Sequence, residues 1–154
     1  GEIRTFTDEN VFLMGGEYQE YWLNMPIEGI TLHSFSITLD WEGTGSSWAS
    51  DIMIAFIDGM NTYSAGGYDL GFGGTYLGPL EGSTTESGIY TTSFADLDFL
   101  MGGDVMFYLG NGWSNSNGMT TDFILTMEIT AIPAPSAFLL FGLAGFTTRR
   151  RTTN

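Results

Sequence analysis

The chain has 154 residues, 43% of them hydrophobic and 15% aromatic, which suits one packed domain with an appendage and is too apolar for a disordered chain. Its formal charge is −14, and because Arg4 is the only base before residue 149, residues 1–146 carry eighteen acids against one base, a net −17. Such a surface repels phosphate backbones and excludes nucleic acid as a partner, while the lack of Lys and Cys and the single His exclude P-loop, Schiff-base, thiolate and His-rich metal chemistry.

Absent cysteine, 22 glycines and high acidity suit an exported bacterial protein, and a first residue that is Gly fits removal of a leader peptide or a chain trimmed at its start. Strand-like alternation begins near Tyr18, with Tyr21, Leu23 and Met25 on one face and Glu20, Trp22 and Asn24 on the other. Pro26 ends it. From Ile30 to Trp41 the residues His33, Phe35, Ile37, Leu39 and Trp41 share a phase, opposite Ser34, Ser36 and Thr38, which predicts a half-buried strand closed by the Gly43–Ser47 turn cluster.

The apolar run I-M-I-A-F-I between Asp51 and Asp58 predicts a central strand, being short, β-rich and bounded by turn residues. Residues 61–88, rich in Gly and Tyr, predict short strands and long loops. Ile89 to Leu100 alternates weakly, grouping Ile89, Ala95, Leu97 and Phe99 against Asp96 and Asp98, and Asp104 to Leu109 predicts another strand. The strongest pattern runs from Met119 to Ala131, with Met119, Phe123, Leu125, Met127, Ile129 and Ala131 in phase against Asp122, Thr126, Glu128 and Thr130. No segment before Pro133 has a helical period with caps. Seven to nine short strands with Gly-rich turns predict a mainly β fold for residues 1–132, an antiparallel, jelly-roll-like β-sandwich, followed by one short hydrophobic helix in residues 133–154.

Little in the domain suggests catalysis. His33, in phase with apolar neighbours, reads as a partly buried structural histidine. The pairs Asp40 with Glu42 and Asp96 with Asp98 would project from one face of a strand at i, i+2, the arrangement for a structural calcium ion or an acid/base dyad, but neither sits in a D-x-D-x-D-G loop. The glycines of G-F-G-G at 71–74 lack the lysine of a phosphate cradle. Aromatic residues near loops, Trp41, Trp48, Trp113, Tyr63 and Tyr68, remain as a lead. Trp48, Trp113 and Tyr68 are the candidates for stacking on a glycan. No other cofactor is expected.

The last residues stand apart. Pro133 and Pro135 precede an uncharged apolar run, and Arg149, Arg150 and Arg151, three of the four bases, follow it. Ser136 can cap a helix over Ala137 to Thr148, a helix of about 18 Å at 1.5 Å per residue and therefore shorter than the ~20 residues needed to span a bilayer core. Such a segment belongs in a membrane or among its own copies. Ala137, Gly142, Ala144 and Gly145 would let helices approach closely, with Phe138, Leu139, Leu140, Phe141, Leu143 and Phe146 filling the space between them.

This order of prolines, apolar run and terminal arginines resembles the sorting signal of PEP-CTERM proteins, with Ala134 where that family has glutamate. More weakly, W-A-S-D at 48–51, G-G-Y at 66–68 and L-G-N-G at 109–112 are similar to the β-domains that precede such tails. The resemblance implies export through the inner membrane with transient contact there, an extracellular or cell-surface destination, association with exopolysaccharide and no enzymatic activity. Joined to the helix reading, it leads to two expectations: a subunit of an extracellular helical filament, self-associating through the tail with β-domains outward, or a glycan-binding module of the extracellular matrix.

Overall fold

In a computed structural model of the chain, the structure is described for residues 1–67 and 71–134. Among the described residues ten strands form two five-stranded sheets: β1 Glu2–Leu13, β2 Tyr18–Asn24, β3 Ile30–Gly43, β4 Ile52–Ile57, β5 Thr62–Gly66, β6 Thr75–Tyr76, β7 Gly88–Phe94, β8 Phe99–Met101, β9 Asp104–Asn111 and β10 Met119–Ala131. One sheet runs β1-β10-β3-β7, with β8 also on β3, and the other runs β2-β9-β4-β5-β6. All pairings are antiparallel except that of β5 with β6.

The order has a simple origin. First strand pairs with last (β1 with β10), second with next to last (β2 with β9), third with β7 and β8, and fourth with fifth, so the chain is one long hairpin rolled up on itself. The contacts β10 to β3 and β9 to β4 then close the two sheets, giving the jelly-roll form of the β-sandwich. The predicted tail helix and residues Pro135 to Asn154, together with Tyr68, lie outside the described residues.

The core is the space between the sheets. Ile30, Leu32, Ile37, Leu39 and Trp41 from β3, Leu125, Met127 and Ile129 from β10, and Ile52, Ile54, Phe56, Phe107 and Leu109 from the opposite sheet are each at most 2% exposed. A band of rings crosses it from edge to edge. Phe94 meets Phe35 at 5.1 Å, Phe35 meets Phe56 at 4.9 Å, Phe56 meets Phe107 at 5.4 Å, Phe107 meets Phe123 at 5.6 Å and Phe123 meets Tyr21 at 5.2 Å. Each contact adds about 0.5–1.5 kcal/mol beyond area burial.

Several expectations are corrected. The strand β1 went unpredicted because a bulge between Asp8 and Val11 breaks its period, so that Phe6 and Val11 both face inward five residues apart. A second bulge shifts β3: Ser34 pairs with Glu128 but Leu32 with Ile129, which puts Leu32 and Phe35 in the core and His33 off it. Trp41, in phase near the end of β3 as expected, drops out of the aromatic leads, being 1% exposed with its indole N–H on Met119 Sδ at 3.3 Å. Tyr63 stacks on Phe99 at 3.9 Å. Ile89 faces solvent at 71% exposure while Tyr90 and Phe94 turn inward, because Asp96 (φ 56°) and Asp98 (φ 47°) form a left-handed turn that separates β7 from β8. Ala131 is exposed, and β10 is the central partner of β1 and β3.

Candidate functional site: an aromatic cleft at one end of the sandwich

At the end of the sandwich where β10 begins, Trp48, Ser50, Asp51, Gly67, Pro79, Leu80, Ser83 and Trp113 line a cleft of about 490 Å³. Trp48 is 43% exposed and Trp113 half-buried, so each offers a ring to the solvent side. Local chemistry sets both. After the turn cluster that ends β3, residues Ala49–Asp51 make one 3-10 turn, and Asp51 Oδ2 reaches back to accept from the N–H of Trp48, the residue before the turn, at 3.0 Å. Gly112 N–H donates to the Asp51 carbonyl at 2.7 Å, tying the Trp113 loop to that turn.

Beneath the tryptophans lies a buried polar network. Ser47 Oγ and Ser116 Oγ are 2.7 Å apart, Asn111 Nδ2 donates to Ser116 Oγ at 2.9 Å and to the Leu13 carbonyl at 3.3 Å, and Ser47 Oγ donates to the Gly118 carbonyl at 2.8 Å. Ser47, Asn111 and Ser116 are 1%, 0% and 6% exposed, and no buried side-chain nitrogen or oxygen among the described residues lacks a partner. A satisfied network of this kind fixes loop geometry. The third wall comes from the loop after β6, where Ser50 N–H donates to Gly82 O at 3.0 Å and Ala49 N–H to Thr84 O at 3.3 Å. Gly67, with φ 66°, lines the cleft, and Gly66, with φ 70°, precedes it: a Cβ at Gly66 would strike Ile52 O and Leu80, and one at Gly67 the Met53 side chain.

The sequence candidates are thus partly united. Trp48 and Trp113 come together from 65 positions apart, whereas Tyr68 lies outside the described residues and Pro133 stands at the opposite end of β10, the apolar run and arginines beyond it being outside the description. The three short motifs W-A-S-D, G-G-Y and L-G-N-G bring Trp48–Asp51, Gly67 and Asn111–Gly112 to this cleft or directly beneath it. Leu80, Pro79 and Ser83 carried no signal in a Gly-rich stretch. Neither did Ser47 or Ser116, whose role appears only when their loops meet.

The other candidates sit elsewhere. His33, half-buried, has Nδ1 2.8 Å from Asp98 Oδ1 and Nε2 2.8 Å from Thr130 Oγ1, in a polar hollow with Ser34, Asp96 and Glu128. Asp96 and Asp98 are turn residues, not strand neighbours on one face. Asp40 and Glu42 do project outward from β3, Asp40 opposite Asp122 on β10. Among the described residues no group of three or more His, Cys, Asp or Glu is arranged to hold a metal ion, and no helix is long and apolar enough to cross a membrane.

No protein family and no curated protein matches the chain. Among solved structures it is similar to the STIV MCP, at 14% identity over 87% of this chain and 50% of that one, TM-score 0.47. It is also similar to FLHE, at 9% identity over 85% and 97%, TM-score 0.41, and to the tobacco streak virus coat protein, at 11% identity over 89% and 94%, TM-score 0.35. The chain spans half the length of the first of these. At such identities and scores none of the three says what this chain does.

Proposed function

We propose that the domain is a non-catalytic glycan-binding module of an exported bacterial protein destined for the cell surface or matrix, and that it takes a polysaccharide chain in the Trp48–Trp113 cleft. The observation carrying this is the convergence of the two rings on a cleft whose walls are otherwise Leu80, Pro79 and short polar side chains, over a fully bonded support. Flat rings stack on sugar faces, and Ser50 and Ser83 supply polar groups that set orientation. Asp51 is already committed to Trp48 N–H, which suits a structural carboxylate better than an acid/base pair. A chain at −14 favours neutral over acidic glycans.

Affinity electrophoresis of the full chain against neutral and acidic polysaccharides tests the reading. Retardation by a neutral glycan, reduced at least about tenfold in Trp48→Ala and in Trp113→Ala, is expected. Unchanged retardation in both variants, or none with any glycan, sinks it.

The end of the chain favours a second reading, as a subunit of an extracellular filament or surface assembly. The sandwich closes without residues 133–154: β1 already pairs with β10, and Ile132 N–H donates to Gly29 O at 3.0 Å just before Pro133. An apolar segment with an arginine cluster, added to a domain that closes without it, suits self-association or anchoring. Electron microscopy of the full chain and of a chain ending at Ile132 decides: fibres of uniform width only for the full chain support it, and fibres from both, or from neither, refute it.

A further inference from the structure

We propose that the free edge of β7 pairs with the same edge of a second copy, antiparallel and about a twofold axis at Thr91, joining the two β1-β10-β3-β7 sheets into one continuous sheet. This goes beyond glycan binding and is independent of the cleft.

The inference begins with the main chain. Among the described residues, the backbone of Gly88–Phe94 is paired with β3 alone, from Phe35 opposite Phe94 to Trp41 opposite Gly88 without a bulge. In an antiparallel ladder alternate residues of an edge strand turn N–H and C=O away from the sheet, so this edge presents a row of donors and acceptors. Among the described residues the loop before β7 makes no main-chain to main-chain bond with that row: its Glu81 N–H donates to Thr92 Oγ1 at 2.7 Å, its Glu86 carbonyl accepts from the Tyr90 hydroxyl at 2.5 Å, and its other bonds outside the loop go to the main chain of residues 49, 50, 64 and 66.

The other edges are protected in the ways edges usually are. Strand β1 has a bulge and the charges Glu2, Arg4, Asp8 and Glu9, β2 has Glu20, β6 has two residues and β8 three. Strand β7 is seven residues, G-I-Y-T-T-S-F, with no charge and no proline.

Charge selects the occupant. A twofold contact sets like against like, and on a chain at −14 most surfaces would repel their own copy, whereas β7 brings no charge to the seam. Pairing all seven residues puts Thr91 opposite Thr91 and Ile89 opposite Ser93. The exposed Ile89 and the half-buried Tyr90 and Phe94 at the rim then gain cover. In this register Glu86 faces the Asp96 of the second copy at each end of the seam, so salt should strengthen the dimer by screening those acids.

Sedimentation of the full chain at rising salt, with single-cysteine variants of a chain that has no cysteine, tests this. Opposite residues of an antiparallel pair have Cα atoms about 4.5–5.5 Å apart, inside the range of about 4.4–6.8 Å that disulfides bridge. Thr91→Cys is expected to form disulfide dimers on mild oxidation, Ile89→Cys to form few alone and many when mixed with Ser93→Cys. Thr91→Glu and Thr91→Lys should each lose the dimer and regain it when mixed, with unchanged circular dichroism as the check on folding. A wild-type chain that stays monomeric in high salt, equal crosslinking at all three positions, or a mixture that fails to regain the dimer overturns the proposal. Since the glycan assay reads the cleft at the far side of the 78–84 loop, the two can fail separately.

Discussion

Ser47 Oγ and Ser116 Oγ, 69 residues apart in sequence and both buried, are 2.7 Å from one another, and this contact clasps the loop of Trp48 to the loop of Trp113. Ser116→Ala removes an atom that also receives Asn111 Nδ2 and Gly118 N–H. Leaving buried donors unmet costs about 1–3 kcal/mol. At about 2–4 °C per kcal/mol for a domain this size, thermal unfolding should fall by several degrees, and glycan retardation should weaken although no cleft residue has changed.

Phe56 sits at the centre of the aromatic band, 0% exposed, between Phe35 and Phe107. Phe56→Ala should cost about 3–5 kcal/mol through lost burial and the cavity left behind. Trp22→Ala, on the outer face of β2 at 66% exposure, should stay within about 0.5 kcal/mol. Denaturant midpoints of the two variants check the contrast.

The hairpin between β4 and β5 turns on Asp58. Burial works to raise its carboxyl pKa, but N–H bonds from Gly102 at 2.8 Å, Asn61 at 2.6 Å and Met60 at 2.9 Å outweigh that and hold it below the ordinary aspartate value. A depressed folded-state pKa contributes stability that is present above the unfolded value, about 3.9, and is lost as pH falls through the folded one. The stability gap between wild type and Asp58→Asn should therefore be constant above about pH 5 and shrink below about pH 4. Unfolding by denaturant across that range measures it.

Tyr21 supplies the alkaline counterpart. Burial, then the hydrogen bond from its hydroxyl to Asp8 Oδ2 at 2.7 Å and the charge of that carboxylate, push the phenol well above the usual tyrosine range. A raised folded-state pKa contributes stability that is intact below the unfolded value, about 10, and is lost as pH rises above it. Tyr21→Phe should cost about 1 kcal/mol at neutral pH and reduce the decline of stability in alkali. Ultraviolet titration should show one fewer late-ionising phenol.

Where alternation runs unbroken, the sequence reports the fold closely: β10 is read from Met119 to Ala131 with its buried set save for the exposed Ala131, and β4 from its apolar run. Where the backbone adds a residue, the reading slips. The bulge in β1 hid a whole strand, the bulge at His33 assigned a core face to a residue bonded to Asp98 and Thr130, and the left-handed Asp96 and Asp98 inverted the faces of β7. Trp48 and Trp113 were visible as loop aromatics, but no spacing rule links them. Their meeting depends on how the long hairpin rolls, which is a property of the pairings as a set.

Strand β10 begins beneath the tryptophan cleft, where Gly118 O receives Ser47 Oγ and Thr44 N–H, and ends at Ala131, where the chain leaves toward Pro133. A ligand held at one end and a load applied through residues beyond 134 would therefore pull about 40 Å along a single strand axis. In that direction the ladders to β1 and β3 resist together in shear, and cannot be opened one bond at a time. The rolled hairpin makes β10 a tension rod, so the domain should bear a tug between any ligand in the cleft and the chain beyond Pro133 far better than a pull that peels β1 from its free edge.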